Sequence, residues 1–271
     1  MLYWYGFKLG VQSLINGRFS RETIKNIIAP VNYWRNIEYR IVLNELKIRN
    51  GDVILDIGSP KLLSLYLAEK FDVDVFTIDI KSYFVNDYIS FQAIRGIATK
   101  KFNPAVMDGR SLDFPDNSFN KVYSISVLEH IPQHGDTQCV KEITRVLKKG
   151  GISVITVPYA DKGTNEFRRS DSFYWSDASQ SLGDTDETFF QRRYSEKELF
   201  ERLINPSGLK LLKVLYVGEK IFIHSKNEIS SYLKPITGPI QPLISYIAHT
   251  KPTIAPHLLK KPLAAVLILE K

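Results

Sequence analysis

Val53-Ile54-Leu55-Asp56-Ile57-Gly58-Ser59, with a second acidic residue at Asp79 closing the next apolar run, is the stretch that decides the fold. The apolar run from Val53 to Ile57 is too short for a helix and ends at a glycine, which predicts a buried strand. Ser59 is a good N-cap and Pro60 suits the first helical position, so a helix is expected to open there. Strand, glycine turn and helix in that order aim backbone N–H groups and a helix N-terminus at the carboxyl edge of a parallel sheet, where nucleotides bind. The run Val73-Asp74-Val75-Phe76-Thr77-Ile78 then ends at Asp79. It lies about 20 residues past the turn, the offset at which a carboxylate accepts hydrogen bonds from ribose hydroxyls.

Three further blocks follow in order. They are Asp108-Gly109-Arg110-Ser111-Leu112-Asp113-Phe114-Pro115-Asp116-Asn117-Ser118-Phe119, then Val122-Tyr123-Ser124-Ile125-Ser126-Val127-Leu128-Glu129-His130-Ile131, then Glu142-Ile143-Thr144-Arg145-Val146-Leu147-Lys148-Lys149-Gly150-Gly151. Taken together, in this order and spacing, the blocks resemble the class I S-adenosylmethionine-dependent methyltransferases, particularly the small-molecule group called type 11. The resemblance runs from Asn50 to Pro158. It implies a Rossmann-like α/β fold with a seven-stranded, mostly parallel sheet whose last strand is antiparallel. S-adenosylmethionine is the cofactor it implies, held by Asp56, Gly58, Ser59, Pro60, Asp79, Ile80, Asp108, Gly109 and Ser126. In that family pattern Asp56 holds the turn and the amino-acid end, Asp79 grips the ribose, Asp108 faces the adenine amino group and Gly109 offers a backbone N–H. One departure stands out: the family's first motif continues as Gly-x-Gly-x-Gly, whereas Pro60 and Leu62 occupy its second and third glycine positions.

Methyl transfer is an in-line displacement on an electrophile that the cofactor supplies complete, so the protein mainly aligns the acceptor and excludes water. A base is needed only where the accepting atom must lose a proton. His130 has the residue type for that role, because imidazole titrates near neutral pH; supporting the loop is the competing role. Glu129 beside it and Tyr194, just ahead of a predicted helix, complete the candidate catalytic set. No metal is assigned, although Glu129 with the nearby His134 and Asp136 leaves that option open.

The chain has 271 residues, 44% hydrophobic and 24% charged, enough for one α/β core with additions. Its single cysteine, Cys139, allows no internal disulfide and is expected in a core. The 36 Lys and Arg against 29 Asp and Glu leave a net charge of +7, without the long basic run or motif of a nucleic-acid binder. Neither a signal peptide nor a spanning apolar stretch is read, and a cytoplasmic location is expected.

Residues 1–48 are expected to form a helical lid segment and 49–218 the cofactor-binding core, with 263–271 its final strand. In the first, Ser20 caps a helix from Arg21 to Ile28, with Phe19 and Ile24 as its hydrophobic staple. Asn32 to Lys47 is the next helix, and Tyr33, Trp34, Arg35 and Tyr39 on it are either site-facing or packed on the sheet. The helix ahead of the fifth strand is expected to stop at Gly150-Gly151. Within the core, 159–193 reads as a substrate-covering insertion carrying Arg168, Arg169, Asp171, Tyr174 and Trp175. A second insertion, 219–262, is rich in Lys and Pro, including Lys226, Lys234 and Pro235, and Ile240 to Ile247 has an amphipathic pattern. That pattern fits a membrane surface, a hydrophobic substrate, a second subunit or its own domain. The expected acceptor is a small or lipophilic molecule, and a homodimer and a peripheral membrane contact through 219–262 both fit the composition. A nicotinamide-dependent oxidoreductase is disfavoured because Gly-x-Gly-x-x-Gly is absent. The other alternative is a methyltransferase fold decayed to a non-catalytic binding role.

Overall fold

A computed structural model describes residues 1–58, 62–169, 187–220 and 237–271. Ser59 and Pro60, Asp171, Tyr174 and Trp175, and Lys226, Lys234 and Pro235 lie outside the described residues, as does the Arg169 side chain. The strands are β1 (Val53–Ile57), β2 (Asp74–Asp79), β3 (Phe102–Val106), β4 (Phe119–Ile125), β5 (Leu147–Pro158), β6 (Thr164–Arg169), β7 (Glu187–Arg193), β8 (Lys210–Gly218) and β9 (Pro262–Glu270). Seven of them make one sheet in the order β3-β2-β1-β4-β5-β9-β8, and β6 with β7 makes a separate hairpin. β1 runs parallel to β2 and β2 to β3; β4 runs parallel to β5, and β9 is antiparallel to both β5 and β8. The fold is therefore the Rossmann-like, mostly parallel sheet with an antiparallel last strand that the sequence implies.

The chain divides into two compact units, one of residues 1–106 with 219–251 and the other of 107–218 with 252–271. In the first unit β1 is buried along nearly its whole length, as a parallel strand covered on both faces must be. Its helices are α1 (Leu2–Ile15), α2 (Arg21–Ile28), α3 (Tyr33–Leu46), α4 (Leu62–Lys70) and α5 (Ser82–Arg95). Ser20 caps α2 as expected, accepting from the Thr23 N–H at 3.1 Å, and Asn32 caps α3, accepting from Arg35 at 2.8 Å. The expected staple does not close: Phe19 stays 77% exposed, so it shields little of Ile24.

α1 had no signal beyond its aromatic richness, and it lies close against its neighbours because two glycines let it. A Cβ on Gly6 would fall 2.5 Å from Pro30 and 2.6 Å from Leu62, and one on Gly10 would fall 2.8 Å from Ile27. A carboxylate then ties three helices together. Glu69 of α4 accepts from the Tyr5 hydroxyl of α1 at 2.8 Å and from Arg95 of α5 at 2.8 and 2.5 Å.

In the second unit α6 (Gly135–Val146) ends earlier than its sequence suggests. It gives way to β5 at Leu147, and the Gly150-Gly151 pair expected to stop the helix sits in a bulge instead. Register passes from Phe119 opposite Leu147 to Lys121 opposite Ile152, and Gly150 takes φ +71° to accommodate it. The helical segment over 196–207 opens with the expected capping box of Ser195 and Glu198.

Candidate active site

In the first unit, β1 and β2 run in register, Asp56 beside Thr77 and Ile57 beside Ile78, so their carboxyl ends finish side by side. Asp56 is fully buried, with the Thr77 hydroxyl 3.4 Å from its Oδ2. Gly58 has φ +117°, a conformation that excludes side chains, and its N–H donates to the Ile78 carbonyl at 3.1 Å. This bond ties the turn after β1 to the end of β2. Asp79 closes β2 and accepts from the Lys81 N–H at 2.7 Å, ahead of α5. Ile80, half-buried, lies between Asp79 and that donor. Asp56, Gly58, Asp79 and Ile80 are thus gathered at two adjacent strand ends.

The α3 residues divide between packing and pairing. Tyr33 and Tyr39 are 6% and 5% exposed, which makes them packing residues, and Arg35 pairs with Glu38 at 2.6 Å. The helix Gln241–Ala248 lies along α3, where Gln241 accepts from the Tyr33 N–H at 2.8 Å and the Asn36 amide donates to Ser245 at 2.5 Å.

In the second unit, Asp108 follows the third strand and is held in a fork by Arg110. Its Oδ1 accepts from the Arg110 N–H at 2.8 Å, and its Oδ2 accepts from the guanidinium at 2.7 and 3.0 Å. Burial works to raise the Asp108 pKa, but the Arg110 hydrogen bonds outweigh it and the net shift is downward. Gly109 is half-buried between them.

Ser126 takes the left-handed conformation at φ +51°, uncommon for a residue with a side chain. Its N–H donates to the Thr156 carbonyl at 3.0 Å, so the chain leaves β4 sharply and enters a one-turn helix, Leu128–His130. Glu129 there is buried, while the His130 side chain is 19% exposed. The His130 Nδ1 lies 2.7 Å from the Phe190 carbonyl. A carbonyl only accepts, so the neutral ring carries its proton on Nδ1 and its lone pair on Nε2. That Nε2 is 3.9 Å from Glu129 Oε1, so a protonated ring gains an ion-pair partner.

Tyr194, the third candidate catalytic residue, is enclosed by the fold. Its backbone bridges to Tyr159 at the end of β5, its ring is fully buried, and its hydroxyl donates to Asp136 at 2.8 Å. Burial first, then the Asp136 charge, push the hydroxyl pKa well up, so Tyr194 keeps its proton and fixes structure. The same Asp136 carboxylate takes Arg192 at 2.9 Å and Arg202 at 2.8 Å. Its oxygens are thus committed to two guanidiniums and a phenol. Among the described residues no group of three or more His, Cys, Asp or Glu is arranged to hold a metal ion. Cys139 is buried and its thiol pKa is pushed up by burial first, the behaviour of a core thiol.

Sequence reasoning missed Arg110, Phe190 and the Arg192–Asp136–Arg202 cluster. Arg110 had a signal, two residues from Asp108 within a matched block. The others depend on contacts between residues 56 to 66 apart, which no local spacing encodes. The second unit also has a cavity of about 640 Å³ lined by Asp161, Glu196, Ile254, His257, Leu259 and Pro262, among others.

These residues can be set beside known proteins. A family model described as a methyltransferase domain matches residues 55–155, which takes in the end of β1, β2, β3, β4, the His130 turn and most of β5. Over those residues the chain is similar to methyltransferase domains. Phosphoethanolamine N-methyltransferase 2 of Caenorhabditis elegans is 30% identical over 150 residues, covering 55% of this chain and 32% of that protein. The chain spans between a fifth and a third of the length of the curated relatives it matches, from 22% to 32%. Among solved structures, a methyltransferase from Methanosarcina mazei superposes with a TM-score of 0.53 at 21% identity, covering 85% of this chain and 96% of that one. Geranyl diphosphate methyltransferase, solved in complex with S-adenosylmethionine, gives 0.56 at 10% identity over 87% and 85%. At these identities the superpositions speak for the fold alone.

Proposed function

We propose that the chain transfers a methyl group from S-adenosylmethionine to a small or lipophilic acceptor, and that the accepting atom is an amine nitrogen. The observation that carries the cofactor is the pair of strand ends in the matched residues, where Gly58, in a φ +117° conformation open only to glycine, is tied to the strand that closes at Asp79. In this reading Asp79 accepts from the ribose hydroxyls, Asp56 steadies the turn, Gly58 gives backbone approach, and Ile80 is an apolar contact. Asp108 and Gly109 serve the adenine, with Arg110 orienting the carboxylate, and Ser126 sets the direction of the loop that carries His130. The cofactor brings its methyl group already activated on a sulfonium. His130 Nε2 takes the proton that an ammonium acceptor must lose, and Glu129 steadies the imidazolium so formed.

The amine is favoured by the relatives, several of which are named N-methyltransferases of phosphoethanolamine or phosphatidylethanolamine. It is also favoured by the cavity, where the carboxylates of Asp161 and Glu196 stand among apolar residues and suit a molecule with a cationic and an apolar part. Exposed Leu243, Tyr246 and Ile247 support 219–262 as a contact region for a lipophilic surface. No helix of the described residues is long and apolar enough to cross a membrane.

The decayed, non-catalytic reading rested on Pro60 and Leu62. Leu62 loses much of its weight as an obstacle, because its side chain is 3% exposed and packs where Gly6 makes room for it. Incubation with methyl-labelled S-adenosylmethionine and a panel of amines, phosphorylated amines and amino lipids tests the proposal. Label appearing in an amine, with matching S-adenosylhomocysteine, is the expected outcome; cofactor binding without transfer to any amine, alcohol or activated carbon would favour the non-catalytic reading.

A further inference from the structure

We propose that the outward face of α1 docks on the surface of an anionic lipid bilayer. α1 buries Leu2, Tyr5, Gly6, Leu9, Gly10 and Ser13 against its own unit. At 3.6 residues per turn, that leaves an outward arc through Trp4, Lys8, Val11, Leu14 and Ile15. A surface helix ordinarily fills such an arc with charged and polar groups. Here Trp4 is 63% exposed, Leu14 48% and Ile15 79%, and Phe19 just beyond the helix is 77% exposed; Lys8 and Gln12 are the polar exposed residues on the arc.

The charge of the segment selects the occupant. No Asp or Glu occurs in residues 1–21, whereas Lys8, Arg18 and Arg21 do. Arg18 is paired with Asp87 at 2.7 Å, Lys8 is exposed on the apolar arc, and Arg21 is exposed at the start of α2. Tryptophan and aliphatic side chains on one face with bordering basic residues are the composition of a helix lying in a membrane interface. A lysine within the arc extends its charge to the headgroups while its stem stays apolar. A second copy of the chain fits less well, because a two-fold contact sets a patch against itself and would bring like charges together. Anionic headgroups attract the same charges.

Cosedimentation of the full chain with phosphatidylcholine vesicles, with and without phosphatidylglycerol, tests this. The expected result is binding about tenfold or more tighter to the anionic vesicles, reduced by salt. Trp4→Ser combined with Ile15→Ser should weaken it by about tenfold or more, through lost apolar burial. Lys8→Glu should weaken it as well, and because all three positions are exposed, the melting temperatures should stay at the wild-type value. Absence of binding to anionic vesicles, or binding unchanged by both variants, would overturn the proposal. So would self-association that Trp4→Ser abolishes while no vesicle binding is seen, since the face would then be a subunit contact.

Discussion

Asp79 carries two demands in one carboxylate, shaping the turn after β2 through the Lys81 N–H and, in the proposed function, accepting from ribose. Asp79→Ala should raise the dissociation constant for S-adenosylhomocysteine by about tenfold to a hundredfold, since hydrogen bonds to a charged group are worth about 1.5–3 kcal/mol. Titration calorimetry reads this directly. At Gly58 the backbone decides: Gly58→Ala places a side chain at φ +117° and should cost about 1–3 kcal/mol of stability in denaturant unfolding. His130→Ala should lower kcat by about a hundredfold or more while leaving cofactor affinity near wild type, as expected of a lost general base. Tyr194→Phe should do the reverse. The variant loses the Asp136 bond and some stability, and keeps its kcat per folded molecule, whereas a large fall in kcat would restore Tyr194 to the chemistry. The residues legible in the sequence here were those whose role is local, such as Gly58 at its turn or Asp79 at a strand end. The bond from Tyr194 to Asp136 was not legible, because the two lie 58 residues apart.

Among the elements, strands and capped helices were readable because their signals are short-range: apolar runs for β1 and β2, and Ser20, Asn32 and Ser195 as N-caps. α1 escaped because its exposed face is apolar and the two-sided pattern of a surface helix is absent. The β6–β7 hairpin escaped because its strands are polar and distant in sequence. α6 ended early because the neighbouring strand draws Leu147 into the sheet, a tertiary demand that overrides the glycine stop. Contacts between elements have a measurable pH signature. Burial of Glu69 works to raise its pKa, but hydrogen bonds from Arg95, Lys70 and Tyr5 outweigh it and hold the carboxyl at about 2, below the ordinary 4.5. A carboxylate with a depressed folded-state pKa stabilises the fold above its unfolded value and loses that contribution as pH falls through the folded one. Unfolding free energy should therefore decline between pH 4.5 and about 2, and Glu69→Gln should lack that part of the decline. Asp136→Asn leaves Arg192 and Arg202 without their shared anion and should cost about 3–5 kcal/mol.

For the molecule as a whole, a seven-stranded, mostly parallel sheet with an antiparallel last strand is what the family resemblance implied, and the observed sheet has that form. What the acceptor is was not legible, because the segments outside the matched residues contain no spacing that chemistry requires. Calorimetric titration of the full chain with S-adenosylhomocysteine, paired with thermal melting, tests whether the glycine turn and Asp79 hold the nucleoside. Measurable heat at a single site is expected. At about a hundredfold excess over the dissociation constant the expected stabilisation is about 2.7 kcal/mol, roughly 5–10 °C in melting temperature, with both effects lost in Asp79→Ala. No heat and an unchanged melting curve across the whole concentration range would contradict that binding.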